Sequence, residues 1–126
     1  MPLVKTRELL HVGIPVNDLA RAEEFYTNIL GLEVSGRYSN NLRLRCEDGN
    51  AIVLFNRPQP LQRNAVDEDG HAHHAFKVSV EDFDLAMEEM KKLGIFHRGP
   101  ITWPGSQGRT LYFTDPDGNY LELWSE

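Results

Sequence analysis

The chain repeats itself, and that repeat limits its folds more than any single motif does. His11, in a strand-like run, recurs as His73, and Gly31, closing an amphipathic stretch, recurs as Gly94. Asp48-Gly49-Asn50 recurs as Asp117-Gly118-Asn119. Self-similarity at half the chain's length means one supersecondary unit used twice. In the first copy, residues 9–16 alternate: Leu10, Val12, Ile14 and Val16 share one face, His11, Gly13 and Pro15 the other. Asn17 or Asp18 can cap the helix that follows. Leu19, Ala22, Phe25, Tyr26, Ile29 and Leu30 give that helix an apolar stripe, and Gly31 stops it. Strands are expected over 33–38, 41–46 and 51–55, the last two joined through Asp48-Gly49-Asn50.

The second copy opens with a strand over 73–80, in which His74, Phe76, Val78 and Val80 oppose His73, Ala75 and Lys77. Ser79-Val80-Glu81-Asp82 resembles a capping box, and Phe83, Ala86, Met87, Met90 and Leu93 form the next helical stripe. Residues 94–108, rich in glycine and proline, read as a loop. Strands over 109–114 and 120–124 follow, joined by the Asp115-Pro116-Asp117-Gly118-Asn119 turn. The expected fold is α+β: two β-α-β-β-β modules whose strands form a cupped eight-stranded mixed sheet. Its boundaries are about 8–56 for module one, 57–70 for a linker and 71–126 for module two, all within a single domain.

Charge and cysteine usage exclude several classes of function. A net charge of −6 and a pI of about 5.3 argue against nucleic-acid or anionic-membrane partners. The single cysteine, Cys46, excludes an internal disulfide framework and suits a reducing cytosol. No run approaches the roughly 18 apolar residues of a membrane span. A soluble, cytoplasmic protein is expected.

The chemistry is expected on the strand faces that the helices leave uncovered. His11 sits on that face of the first strand, His73 on that of the fifth and Glu122 on that of the last. A glutamate between large apolar strand residues must be paired, hydrogen-bonded or metal-bound if it is buried. Two imidazoles and a carboxylate form a facial triad for one divalent ion, with Zn, Mn, Fe, Ni and Co all suited. The same alternation puts Arg43 and Arg45 on one face with Asn41, the counterparts of Tyr112, Thr114 and Thr110, and Lys77 with His73. Facing inward, these cations would favour an anionic substrate group; on an open strand face they are solvated surface. His97, Arg98 and Trp103 fall in the 94–108 loop, where they suit a lid or pocket rim; the tryptophan can also simply pack locally.

The chain resembles the vicinal oxygen chelate superfamily, which includes glyoxalase I, fosfomycin-resistance enzymes, extradiol dioxygenases and bleomycin-resistance proteins. The resemblance rests on Leu10-His11-Val12-Gly13-Ile14-Pro15-Val16 with Phe25-Tyr26 and Leu30-Gly31-Leu32, on His73-His74-Ala75-Phe76, and on 111–123 with its Asp-Pro-Asp-Gly-Asn turn. It covers nearly the whole chain. It implies that His11, His73 and Glu122 are the metal ligands and that Tyr112 is a catalytic, substrate-facing tyrosine. It also implies a homodimer that exchanges modules, His11 of one subunit meeting His73 and Glu122 of the other, since lone modules leave sheet edges bare.

Departures from the family pattern narrow the function. Glyoxalase I adds a fourth-strand glutamate where this chain has Val53, and fosfomycin-resistance enzymes carry a threonine where it has Gly13. Bleomycin-binding relatives lack the ligands altogether. The resemblance implies a divalent-metal-dependent enzyme working by Lewis-acid chemistry, of lyase, isomerase or transferase type, on a small, anionic, oxygen-chelating substrate. Arg43, Arg45, Lys77 and Trp103 are the expected substrate-binding residues. An Fe(II)-dependent extradiol-type dioxygenase and a non-catalytic antibiotic- or metabolite-binding protein are the alternatives.

Overall fold

The computed structural model describes residues 2–57 and 70–126. The expected linker, 57–70, lies outside the described residues except at its two ends. The chain divides into two compact units, Met1–Pro60 and Leu61–Glu126, each carrying one copy of the β-α-β-β-β repeat.

Module one runs β1 (His11–Val16), α1 (Leu19–Asn28), β2 (Glu33–Arg37), β3 (Asn41–Arg45) and β4 (Ala51–Asn56). Its strands pair in the order β1-β4-β3-β2, β1 and β4 parallel and the rest antiparallel. Asp18 is the N-cap of α1, accepting from the Arg21 amide at 3.1 Å. Gly31, at φ +69°, lets the chain leave the helix. Ala22, Phe25 and Tyr26 of the helix are buried together with Ile14, Val16, Leu42, Leu44, Ile52 and Leu54 of the sheet, the helix lying against β3 and β4. Each large side chain so covered contributes about 1.5–3 kcal/mol. Leu9 and Leu10 lie outside β1 and are exposed, so the first strand is shorter than expected.

Module two runs β5 (His74–Lys77), α2 (Val80–Leu93), β6 (His97–Thr102), β7 (Arg109–Thr114) and β8 (Tyr120–Ser125), with strand order β5-β8-β7-β6. Ser79 caps α2 through the Asp82 amide at 3.1 Å. Glu81 and Asp82 in the first turn and Lys91 and Lys92 in the last oppose the helix dipole. Gly94, left-handed at φ +69°, closes the helix, with Ile95 N–H reaching Met90 O at 2.9 Å. Phe83 and Met90 are fully buried, as are Leu111, Phe113 and Leu121 of the sheet. The Arg109 guanidinium lies 4.2 Å over the Phe83 ring and binds Asp84 at 3.1 Å, tying the helix start to β7. Val80 belongs to the helix rather than the strand, and both it and Leu93 are exposed. The buried stripe therefore ends at Met90.

The strands make two four-stranded mixed sheets, one in each module. One expectation is corrected here. Part of the expected 94–108 loop is strand β6, paired antiparallel with β7. Its register breaks between Arg98 and Ile101, at Gly99-Pro100. A Cβ on Gly99, at φ +132°, would lie 2.6 Å from Thr110 O, so the bulge needs glycine there. Pro100 has no amide proton to donate and sits where the ladder is already interrupted. Module one has the matching irregularity in β2, between Val34 and Gly36. Among the described residues, no helix is long and apolar enough to cross a membrane.

Candidate metal and substrate site

The site is built on the face of the second sheet opposite α2. The Asp115 turn sets its register: Asp115 Oδ1 accepts from the Asp117 and Asn119 amides at 2.9 and 2.8 Å, and Gly118 takes φ +84°. Tyr112 of β7 is thereby placed opposite Glu122 of β8, and Ala75 of β5 flanks Glu122 on its other side. A one-residue slip would turn Glu122 under the helix. Alternation puts Thr110, Tyr112 and Thr114 on this face with Tyr120, Glu122, Trp124, Ala75 and Lys77.

Glu122 is only 9% exposed, and both of its oxygens are held. Oε2 accepts from the hydroxyl of fully buried Thr110 at 2.9 Å, and Oε1 lies 2.9 Å from His73 Nε2. His73 Nδ1 is 2.8 Å from the His71 carbonyl, which can only accept, so Nδ1 carries a proton. In a neutral ring Nε2 is then a lone pair aimed at a carboxylate oxygen. Two acceptors at 2.9 Å need a positive atom between them, either a proton on Nε2 or a metal ion. Ligands about 2.1 Å from a shared ion and at right angles would stand about 3.0 Å apart, so this donor pair suits a divalent metal. The His71 carbonyl and the Thr110 hydroxyl orient the two side chains from behind, an arrangement that would also suit metal ligands.

An aromatic wall surrounds the pair. The Tyr112 and Tyr120 rings stack at 5.2 Å, and His73 meets both edge-on at 5.6 and 5.3 Å. The Arg98 guanidinium lies 4.6 Å from the Tyr112 ring centre, with Nη2 3.5 Å from the Tyr120 hydroxyl. The neighbouring His74 runs with Phe76 and Val78, away from this face, as the alternation requires. Burial, then the charge of His73, lowers its pKa, with Asp115 pulling the other way. Among the described residues, its buried Nδ1 has no hydrogen-bond partner.

The structure thus brings together His73, Glu122, Tyr112 and Trp103, whose indole N–H donates to Thr110 Oγ1 at 3.0 Å. Lys77 shares the face but is two-thirds exposed, bound to Glu126 at 3.0 Å and 5.6 Å over Trp124. In module one, His11 is exposed at the start of β1, opposite Ala51. Arg43 is half-buried opposite Val53, and Arg45 binds Glu33 at 3.0 Å on the surface. Among the described residues, no group of three or more His, Cys, Asp or Glu side chains is gathered for a metal ion. Sequence reasoning missed the grip of Thr110 on Glu122, and it put Arg98 in a rim loop rather than on a strand against Tyr112. Alternation signalled the first only as a shared face. The repeat, which demands a strand equivalent to β2, could have found the second.

Two β-α-β-β-β modules, one of them with a histidine–carboxylate pair on its open sheet face, define the class of fold. The chain belongs to the Glyoxalase/Bleomycin resistance protein/Dioxygenase superfamily, whose family model matches residues 8–123. It is 30% identical over 119 residues to the glutathione transferase FosA of Serratia marcescens, covering 93% of this chain and 79% of that protein. It is 31% identical over 117 residues to the metallothiol transferase FosB of Staphylococcus epidermidis, covering 90% and 78%. The structure of the fosfomycin resistance protein FosX of Listeria monocytogenes, complexed with Mn(II) and sulfate, superposes with a TM-score of 0.77. Identity there is 25%, over 96% of this chain and 91% of that one.

Proposed function

We propose that the chain is a divalent-metal-dependent enzyme that acts on a small, anionic, oxygen-chelating substrate, with His73, Glu122 and His11 as metal ligands. The observation that carries this reading is the 2.9 Å approach of His73 Nε2 to Glu122 Oε1 while His73 Nδ1 is committed to a carbonyl. The repeat and the resemblance support His11 as the third ligand. The metal would supply Lewis-acid polarisation of a substrate oxygen. Tyr112 orients the substrate or delivers a proton through its hydroxyl, and the Tyr112–Tyr120 wall excludes water from one side. Arg98 adds positive charge to that wall. It is better placed to attract a substrate anion than Arg45 or Lys77, which already hold Glu33 and Glu126. The names of the FosA and FosB relatives favour the transferase type over lyase or isomerase. The edges β1, β2, β5 and β6 support a homodimer that covers some of them.

The test is metal uptake by chelator-stripped protein titrated with Mn(II), Zn(II) and Fe(II). One ion per chain is expected. His73→Ala should lose it and keep the fold. His74→Ala should keep the ion and lose about 1–2 kcal/mol of stability through packing. Retention by His73→Ala with loss from His74→Ala would overturn the ligand assignment. Oxygen uptake by the Fe(II) form with catechol-type compounds would move the reaction to dioxygenation.

A further inference from the structure

Trp103 follows β6 on the site face, half-buried, and packs with Ile101 against Tyr112 and Tyr120. Its Nε1–H donates to Thr110 Oγ1 at 3.0 Å, and that same hydroxyl donates to Glu122 Oε2 at 2.9 Å. An indole N–H can only donate, an ionised carboxylate can only accept, and a threonine hydroxyl has one hydrogen to give. With the indole proton on one of its lone pairs, Thr110 must point its own hydrogen elsewhere, and Glu122 is the acceptor in reach. Thr110 is fully buried, so no water competes for that hydrogen.

We propose that Trp103 is a positioning residue for the metal-binding carboxylate. By fixing the direction of the Thr110 hydroxyl it holds Glu122 with Oε1 turned to His73. This rests on the metal reading above, and it replaces substrate contact as the role of this tryptophan. The relay runs Trp103, Thr110, Glu122, His73 and the His71 carbonyl, each member holding the next. Removing a partner directly behind a ligand costs about 10–100-fold in metal affinity. A partner one bond further back is expected to cost less, about 3–10-fold.

The experiment measures Mn(II) affinity of the intact chain by calorimetry, with melting temperature as the control for folding. Thr110→Val should weaken Mn(II) about 10–100-fold, and Thr110→Ser, which keeps the hydroxyl, should restore it. Trp103→Phe, which keeps the ring but not the N–H, should weaken it about 3–10-fold, with no further loss when added to Thr110→Val. In the metal-free protein, the Trp103 indole proton should shift in the NMR spectrum and exchange faster in Thr110→Val, while that of Trp124 stays put. Normal wild-type uptake with Trp103→Phe unchanged would overturn this role and leave the metal reading standing. Equal losses from Trp103→Phe with and without Thr110 would also overturn it, since the effect would bypass the hydroxyl. A wild-type protein that takes up no Mn(II) would overturn the metal reading, and this role with it.

Discussion

In module one, the residue between the middle of β1 and the middle of β3 is Val53, flanked by Gly13 and Arg43. In module two the same position, flanked by Ala75 and Tyr112, is Glu122. The two backbones agree down to the bulge in the second strand of each copy and the Asp-Gly-Asn turn. Their helix-side faces agree too, in kind: Phe25 and Tyr26 over one sheet, Phe83 and Met90 over the other. The opposite faces do not. Where module two has Thr110, Tyr112 and Tyr120, module one has Asn41, Arg43 and Ala51. One face of each sheet carries the fold, so it is conservative between copies; the other is open to different chemistry.

The largest expected effects test the face that carries the fold. Phe25→Ala and Phe83→Ala should each cost about 3–5 kcal/mol in chemical denaturation, because each leaves a cavity between helix and sheet. Similar losses in both would support equivalent helix packing. A loss below 1 kcal/mol in either would show that its module does not depend on that interlock, and the comparison would fail on its conserved side.

The next test exchanges the divergent pair. Val53 is 4% exposed, and Asn41, the counterpart of Thr110, already gives its side-chain N–H to Asn40 Oδ1 at 2.9 Å, so Val53→Glu should destabilise by about 1–3 kcal/mol. Glu122→Val leaves the buried Thr110 hydroxyl without its acceptor and should cost about 1–3 kcal/mol while keeping the fold. Metal uptake should nonetheless collapse. If Val53→Glu is neutral while Glu122→Val unfolds the protein, the carboxylate is structural and the contrast between modules is one of packing, not function.

The helix-side faces were legible because they obey simple periods. Alternation in β1, β5 and β8 and the 3.6-residue stripe in α1 and α2 identified which face of each strand the helix covers. It thereby separated His73 from His74 and placed Glu122 opposite the helix. What stayed hidden depends on neighbours distant in sequence. Thr110 and Glu122 meet because β7 and β8 are antiparallel with a set register. Arg45 is taken up by Glu33 across a strand pair, and Lys77 by Glu126. Those ion pairs follow from pairing geometry and leave no trace in local spacing. β6 was obscured by Gly99 and Pro100, residues that break most strands but sit here at a bulge.

The smallest effect expected is at the turn that opens each final strand pair. Cys46 in module one stands where Asp115 stands in module two: each amide binds the asparagine carbonyl four residues on, at 2.8 and 3.1 Å. The Asp115 carboxylate also accepts from amides inside its turn; a thiol cannot do this, and Asp48 accepts from the Asn50 amide instead, at 2.9 Å. Cys46 is half-buried, and burial, helped by the charge of Asp48, pushes its pKa above the usual thiol range. The thiolate is the nucleophile, so iodoacetamide should alkylate Cys46 a few-fold more slowly in the native protein than in a peptide of the same turn at pH 8. In the unfolded chain the thiol ionises first as pH rises. Its small contribution to stability is therefore complete below the ordinary thiol pKa and lost as pH climbs through the raised native value. Asp48→Asn keeps an acceptor for the Asn50 amide and removes the charge, so it should recover only the smaller part of the slowing. Alkylation of native Cys46 as fast as the peptide's would show that the turn leaves the thiol in water, and that the cysteine replaces Asp115 in position but not in environment.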